Sequence, residues 1–187
     1  MFSSLEAFSV SIASQALSEE LHSNKTWPFV TLPHFSIKGD KLKNIIGADD
    51  PVFLFSPVAQ ESDNAAWSTY VNEEAPAWYQ ESIDNEGRNY TVPDLMTKTL
   101  PFIHFYDRQN GFMPTPVARP GVVLPVWQTY PFKTDPINPL LATNYDLLTG
   151  QRISDLFRIT SEILRPTIGI TQVVETKDSM VAESQIM

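Results

Sequence analysis

Adjacent pairs of carboxylates are the first residues of this chain that could take part in catalysis. The sequence contains Asp49-Asp50 and Glu73-Glu74, and two carboxylic acids can serve as general acid and general base. That chemistry requires both groups to be held together in a cleft. Side chains that are neighbours in sequence usually point apart, and both pairs lie beside turn or helix-end signals. We therefore interpret them as capping and solvated residues.

Three histidines, His22, His34 and His104, could ligate a metal ion or act as a base. Only His104 is followed within four residues by a carboxylate, Asp107, and that residue lies at a predicted turn. Because His104 belongs to a predicted strand, a hydrogen bond beneath the sheet is the preferred interpretation of its ring. We predict no metal ligand and no cofactor.

Nucleophilic catalysis finds no support in the residue pattern. The chain has no cysteine, which excludes disulfides, thiolate metal sites and thiol nucleophiles. It has many serines but no Gly-x-Ser-x-Gly motif, and Ser36 and Ser56 are interpreted as strand-end residues. We predict no catalytic residue and no enzyme activity for the chain. A small hydrolase that uses His104 with a nearby carboxylate is kept as a remote alternative.

Aromatic residues offer a second kind of site. Trp127 and Tyr130 lie on one predicted strand and Tyr106 on another, so they could form the wall of a small-ligand pocket. Aromatic side chains also dominate core burial. Core filling is the preferred interpretation and the pocket stays open as its alternative, with no ligand-binding residue assigned.

Length and composition are those of a folded domain. The 187 residues fit one domain, or one domain with an appended helix, and they are 42% hydrophobic and 19% charged. The net charge of −9 disfavours a nucleic-acid partner, because such a surface needs clustered Lys and Arg. No apolar run approaches the ~20 residues that cross a bilayer, and residues 1–21 lack the basic leading segment of a signal peptide. A membrane connection would come only from flanking segments.

Residues 1–22 are predicted to form an amphipathic helix. Its apolar side chains make two adjacent rows in helical phase, and serine, glutamine and glutamate occupy the opposite face. The first row is Leu5, Phe8, Ile12 and Ala16, and the second is Ala13, Leu17 and Leu21. Such a helix must pack on something. The proline-punctuated segment that follows supplies Trp27, Phe29 and Phe35 to plug the sheet or to seal the helix onto it.

Residues 23–176 are predicted to form one domain, followed by a weakly ordered tail at 177–187. Helices are predicted at 42–46, ended by Gly47; from 62 or 63 along Trp67, Tyr70, Val71 and Trp78, kinked or restarted at Pro76; at 138; and at 151–164. Strands are predicted at 52–55 (buried and central), at 102–106 before a turn at 110–111, at 121–130 with an edge or bulge at Pro125, and at 168–174. Residues 84–99 are predicted to be a loop. Because the order lacks a regular βαβ rhythm, it favours an α/β composition of the α+β type, an antiparallel sheet with helices on one side and a long leading helix.

Four phrases rich in aromatic residues and proline occur along the chain. They are TWPFVTLPHF at 26–35, LFSPV at 54–58, LPVWQ at 124–128 and NYDLL at 144–148. Together with the helix before them, and over residues 5–170, they resemble the sensory region of the large diatom receptor-type nucleotide cyclases. In that family the region lies outside the cell between two membrane helices, and a class III adenylate or guanylate cyclase domain follows the second one.

The resemblance implies a PAS-like sensor fold, a small-molecule ligand that is not identified, and a membrane-associated receptor on whose extracellular side this region lies. It carries over no catalytic or ligand-binding residue, because the cyclase domain with its metal-binding aspartates is absent from the chain. The family's sensor continues with further strands, so the sheet here can be incomplete. Its last strand would then offer an edge for pairing with another chain.

Two sequons, Asn24-Lys25-Thr26 and Asn89-Tyr90-Thr91, add a modification prediction. Asn24 and Asn89 would accept a glycan if the chain entered the secretory pathway.

These observations favour a non-catalytic extracytoplasmic sensor or ligand-binding module that acts in signal transduction as part of a longer receptor. In that role the first and last helices would pass a ligand-dependent shift toward the membrane. The alternative is a stand-alone interaction module that forms a homodimer through the helix of residues 1–22.

Overall fold

The computed structural model describes residues 2–23, 26–47, 51–107, 113–118, 120–132, 143–149, 170–176 and 179–185. They belong to two compact units, Met1–Leu147 and Leu148–Met187. The helices are α1 (Phe2–Ser23), α2 (Phe35–Ile46), α3 (Asn64–Glu86) and α4 (Val92–Lys98). The strands are β1 (Phe53–Phe55), β2 (Ala59–Gln60), β3 (His104–Asp107), β4 (Met113–Pro116), β5 (Val122–Val123), β6 (Gln128–Tyr130), β7 (Ile170–Thr176) and β8 (Ser179–Gln185). The predicted turn at 110–111 and the predicted helices at 138 and 151–164 lie outside the described residues.

Every strand pair in the described part of the chain is antiparallel. The pairs are β1–β6, β2–β5, β3–β4 and, within the second unit, β7–β8. Helices and short antiparallel sheets together confirm the predicted α+β class. Strand β8 lies in the segment that was predicted to be a weakly ordered tail. None of the helices within the described ranges is both long and apolar enough to span a membrane.

The strand predicted at 121–130 is divided in two, which corrects that prediction. β5 ends at Val123 and β6 begins at Gln128, because the residues between them pair with an irregular segment instead of a strand. The amide of Val126 donates to the carbonyl of Tyr145 at 2.9 Å, and Pro125, which has no N–H to donate, forms a bridge with Asp146. The irregular segment is also bonded on its other side, where the His104 amide donates to the Asn144 carbonyl at 3.0 Å.

Strand β1 was predicted to be buried and central. Among the described residues it is only partly buried, and it is not central in a sheet. It pairs with β6 alone, and Leu54 is 37% exposed while Phe55 points inward. The apolar run Phe53–Phe55 forms a strand as expected, but its outer face is open to solvent. Leu54, on this outer face, lines the candidate functional site.

Pro76 does not restart the third helix, since Asn64–Glu86 is one continuous α-helix. Proline removes one backbone hydrogen bond from a helix interior. Buried residues on both sides of it, Val71 and Ala75 before and Trp78 after, hold the helix against the core. Tertiary packing therefore overrides the local signal.

Residues 84–99 are not a loop, because α3 extends to Glu86 and α4 occupies Val92–Lys98. The signal for α4 is present in the sequence: the Thr91 hydroxyl accepts a bond from the Asp94 amide at 3.3 Å and donates to the Asp94 carboxylate at 2.6 Å. Pro93, in the first turn, needs no hydrogen-bond acceptor there.

The core of the first unit centres on Trp127. Its ring lies 5.6 Å from that of Trp67, 5.2 Å from Tyr70 and 5.7 Å from Trp78, and the side chain is fully buried. Tyr130 is buried as well. Of the two interpretations left open for these aromatic residues, core filling is therefore the correct one for Trp127 and Tyr130.

Candidate functional site

An apolar groove lies between α1 and the rest of the first unit. It has a volume of about 430 Å³ and is partly open to solvent. Ten of the described residues line it: Phe8, Ser9, Ile12, Ala13, Ala16, Leu17, Trp27, Phe35, Leu54 and Phe55. The volume is near the lower end of the roughly 300–1,000 Å³ typical of small-molecule sites.

The spacing of small and large residues on α1 explains why a groove forms there. Ala13 and Ala16 are three residues apart and lie on one side of the helix, so their short side chains leave space opposite Phe35 and Phe55. The rings of Phe35 and Phe55 are 6.4 Å apart and form part of the opposite wall. Where their side chains are described, the residues of both predicted apolar rows of α1 therefore line an open groove.

Contacts between residues 7–18 of α1, whose side chains are described, and the rest of the first unit hold this helix in place. Ala16 is buried, the ring of Phe8 lies 5.7 Å from that of Phe53, and the Gln15 amide nitrogen donates to the Pro33 carbonyl at 3.1 Å. Val10 and Leu17 are each 57% exposed.

Trp27 forms part of the rim and is fixed in place by a hydrogen bond. Its indole N–H donates to the Val58 carbonyl at 2.7 Å, while the side chain stays 42% exposed. Of the three aromatic residues expected to plug the sheet or seal the first helix, Trp27 and Phe35 line the groove beside that helix. Phe29 instead packs on Trp67 and Tyr70 in the core.

The chemistry of the groove is that of apolar binding. None of its ten lining residues is ionisable near neutral pH, and Ser9 supplies the one hydroxyl. Four aromatic rings and five aliphatic side chains, two of them the methyl groups of alanines, provide the remaining surface. Such a surface gains free energy by removing apolar ligand area from water.

His104 is buried in an aromatic surrounding away from this groove. Its ring lies 5.4 Å from that of Tyr106 and 6.2 Å from those of Phe102 and Tyr145. Nδ1 is 3.3 Å from the Phe102 carbonyl oxygen, and Nε2 has no partner among the described residues. Burial lowers the pKa of His104, and the contact with the Phe102 carbonyl opposes this only in part. The Phe102 carbonyl is thus a hydrogen-bonding partner of the His104 ring, and no described carboxylate is bonded to this ring.

The other residues considered for catalysis or metal binding are dispersed. His34 is exposed, with Nδ1 3.7 Å from a Glu81 oxygen, and the side chain of His22 is not described. Asp49 and Asp50 lie outside the described residues. Within the described ranges no three His, Asp or Glu side chains converge as a metal site would require.

Glu73 and Glu74, the second carboxylate pair, lie on α3, Glu73 exposed and Glu74 half-buried. The Glu74 carboxylate acts electrostatically on a neighbouring phenol, that of Tyr70. Burial raises the pKa of Tyr70, and the Glu74 carboxylate raises it further. Tyr70 stays protonated and shares a 2.5 Å hydrogen bond with the Thr31 hydroxyl.

A buried amide side chain, which the sequence reasoning missed, joins two of the four phrases in space. The Leu32 amide donates to Gln128 Oε1 at 2.8 Å, and Gln128 Nε2 donates back to the Leu32 carbonyl at 3.0 Å. The phrase at 26–35 is thereby clamped to the phrase at 124–128. No local pattern signals this pair, because 96 positions separate its members.

A second buried amide ties the phrase at 144–148 to α3. Asn144 accepts a bond from the Trp67 indole N–H at 2.9 Å and donates its own amide to the Leu100 carbonyl at 2.6 Å. Nearby, the Leu124 amide donates to the Asp146 carboxylate at 2.9 Å. The segment 26–35, which contributes Trp27 and Phe35 to the groove, is thereby linked through 124–128 to 144–148. The buried polar groups that make these links are hydrogen-bonded, as buried polar groups commonly are.

Of the two predicted glycan acceptors, Asn89 lies in the described part of the chain. Asn24 lies outside the described residues. Asn89 is exposed in the segment between α3 and α4, next to Tyr90, which is 40% exposed.

Comparison of the chain with protein-family models, with curated proteins and with solved structures found no match.

Proposed function

We propose that this chain is a non-catalytic ligand-binding sensor module that acts in signal transduction. The groove beneath α1 carries the proposal. A ligand bound there would contact α1 and the wall formed by Phe35, Leu54 and Phe55 together. Its binding energy would therefore change the free energy with which α1 is held on the unit.

The finer parts of the proposal follow from the resemblance to receptor-type nucleotide cyclases. They are a PAS-like arrangement, a place on the extracellular side of a membrane, and attachment through segments that flank the chain. The antiparallel pairing of β1–β6, β2–β5 and β3–β4 supports an antiparallel sensor fold. The position of the groove against the first helix supports a relay through that helix.

Binding of a neutral apolar fluorophore, N-phenyl-1-naphthylamine, tests the ligand site. The wild-type chain should enhance its emission, and at 100 times the dissociation constant the probe should add about 2.7 kcal/mol to stability. Ala13→Phe places a ring in the groove and should weaken binding at least tenfold. Ala7→Phe makes the same change at an exposed position of α1 outside the groove and should leave binding unchanged. Equal binding by the two variants would contradict the proposal.

A second candidate function, homodimerisation through α1, is favoured by one observation. Val10 and Leu17 are seven residues apart, which places them on one stripe of the helix, and both are exposed. Light scattering after size exclusion should then give a dimer that Val10→Glu converts to a monomer. The control Ser11→Glu adds the same charge at a neighbouring exposed position. A wild-type monomer throughout the micromolar range would exclude this candidate.

A further inference from the structure

We propose that the groove beneath α1 binds an uncharged apolar molecule and rejects ions that carry the same hydrocarbon body. This inference rests on the proposed ligand-binding function and names the ligand class for that same site.

The described residues of the lining provide no side chain of opposite charge for a bound ion. Its ten residues include no Lys, Arg, His, Asp or Glu, and the one strong N–H donor among them, the Trp27 indole, is already bonded to the Val58 carbonyl. An ion that left water for this surface would lose its hydration without gaining a counter-charge. That loss of hydration opposes the binding of a carboxylate and of an ammonium group.

Long-range electrostatics adds to this cost for anions. The chain carries a net charge of −9, so an anion approaches against a repulsive field. A cation approaches favourably but finds no carboxylate among the lining residues. Only a neutral ligand avoids both the repulsion that acts on anions and the uncompensated loss of hydration that acts on either kind of ion.

The aromatic share of the lining narrows the class further. Phe8, Phe35 and Phe55 present rings from three different elements, and Trp27 presents its indole at the rim. Aromatic side chains provide large apolar contact areas for a ligand. A ligand with one or two rings, or a medium-length alkyl chain, fits the volume of about 430 Å³.

Three probes with one ten-carbon chain isolate the charge effect at pH 7. They are decan-1-ol, used below its solubility limit, and decanoate and decylammonium, used below their micelle concentrations. Displacement of N-phenyl-1-naphthylamine gives their dissociation constants. Decan-1-ol should bind at least tenfold more tightly than either ion. The preference should persist in 0.5 M salt, because the missing counter-charge is local and screening removes mainly the long-range part.

A charge placed in the groove gives the converse test. Ser9→Lys puts an ammonium group among the lining residues and should raise decanoate affinity at least tenfold while decan-1-ol affinity falls. Ser11→Lys adds the same charge at an exposed position that does not line the groove and should leave the order of affinities unchanged.

The outcomes separate the inference from the proposed function. If all three probes bind equally and Ala13→Phe abolishes binding of each, the groove is a ligand site but its charge selectivity is refuted. If no probe binds the wild-type chain, the groove is filled by protein, from this chain or from a second copy, and both proposals are overturned.

Discussion

Replacing Gln128 by leucine should destabilise the protein more than any surface change of the same kind. Gln128 is buried and its side chain makes two hydrogen bonds to one residue, Leu32, through Oε1 and through Nε2. Leucine has a similar volume and no polar atom. The substitution therefore leaves the Leu32 amide and carbonyl buried without these partners, and the Leu32 side chain is itself fully buried.

The size of the effect follows from the number of groups left unsatisfied. Each buried donor or acceptor without a partner costs roughly 1–3 kcal/mol, so Gln128→Leu should lower the free energy of unfolding by about 2–6 kcal/mol. The total stability of a domain is about 5–15 kcal/mol, so the loss is a large share of it. With a urea dependence of about 2 kcal/mol per molar, the unfolding midpoint should fall by about 1–3 M.

Urea unfolding followed by tryptophan fluorescence and by circular dichroism measures this loss. The matched control is Gln80→Leu, at an exposed position where the amide bonds to Asp84 at 2.8 Å one helical turn away. Pairs of that kind contribute about 0.2–0.5 kcal/mol. A loss below about 1 kcal/mol for Gln128→Leu, or a loss equal to that of the control, would refute the reasoning that this clamp holds the segment 26–35 in place.

Three further predictions concern other parts of the chain. Thr91→Ala should cost about 1 kcal/mol by removing the cap of α4, whereas Thr91→Ser should retain the cap, and thermal unfolding of the two variants decides this. Passed through a secretory pathway, the chain should gain endoglycosidase-sensitive mass at Asn89 that Asn89→Gln removes without loss of α4, and an unchanged mass would contradict it. Burial lowers the pKa of His104 below that of the unfolded chain, so its contribution to stability is complete above about pH 6.5 and is lost as the pH falls from there to the folded-state pKa. Relative to His104→Phe, the wild type should lose up to about 1.4 kcal/mol per pH unit in that range, and parallel stability profiles of the two proteins would exclude the effect.

Local signals in the sequence predicted the elements that depend on local physics. Gly47 ends α2 in the left-handed conformation, with φ of 65°, as its position after an apolar helical pattern indicated. The stripe Trp67, Tyr70, Val71 and Trp78 is buried along α3 as expected. Each of these features is determined by residues within a turn or two of one another.

Features that depend on distant residues could not be read in the same way. Pro125 suggested an edge or bulge, but the division of the strand requires Tyr145 and Asp146, some twenty residues away. The Gln128 clamp joins residues 96 positions apart. By contrast, the cap of α4 at Thr91 and Asp94 was visible, and the polar composition around it concealed the helix.

The groove was only half predictable. The apolar rows of α1 and the aromatic residues Trp27 and Phe35 indicated that helix and segment would meet. That the meeting leaves an opening depends on the short side chains of Ala13 and Ala16 facing two large rings, which is a matter of three-dimensional fit. Periodicity gives the face of a helix but not the volume left in front of it.

The irregular segment at 144–147 sets a lower limit to how far the protein can be shortened. Its backbone is bonded on one side to His104 and on the other to Leu124 and Val126, so it completes the hydrogen bonding of two separate stretches of the chain. A polypeptide that stopped before Thr143 would expose those amides and carbonyls and would lose the acceptor of the Trp67 indole as well. Limited proteolysis should therefore yield a resistant product whose carboxyl terminus lies beyond Leu147.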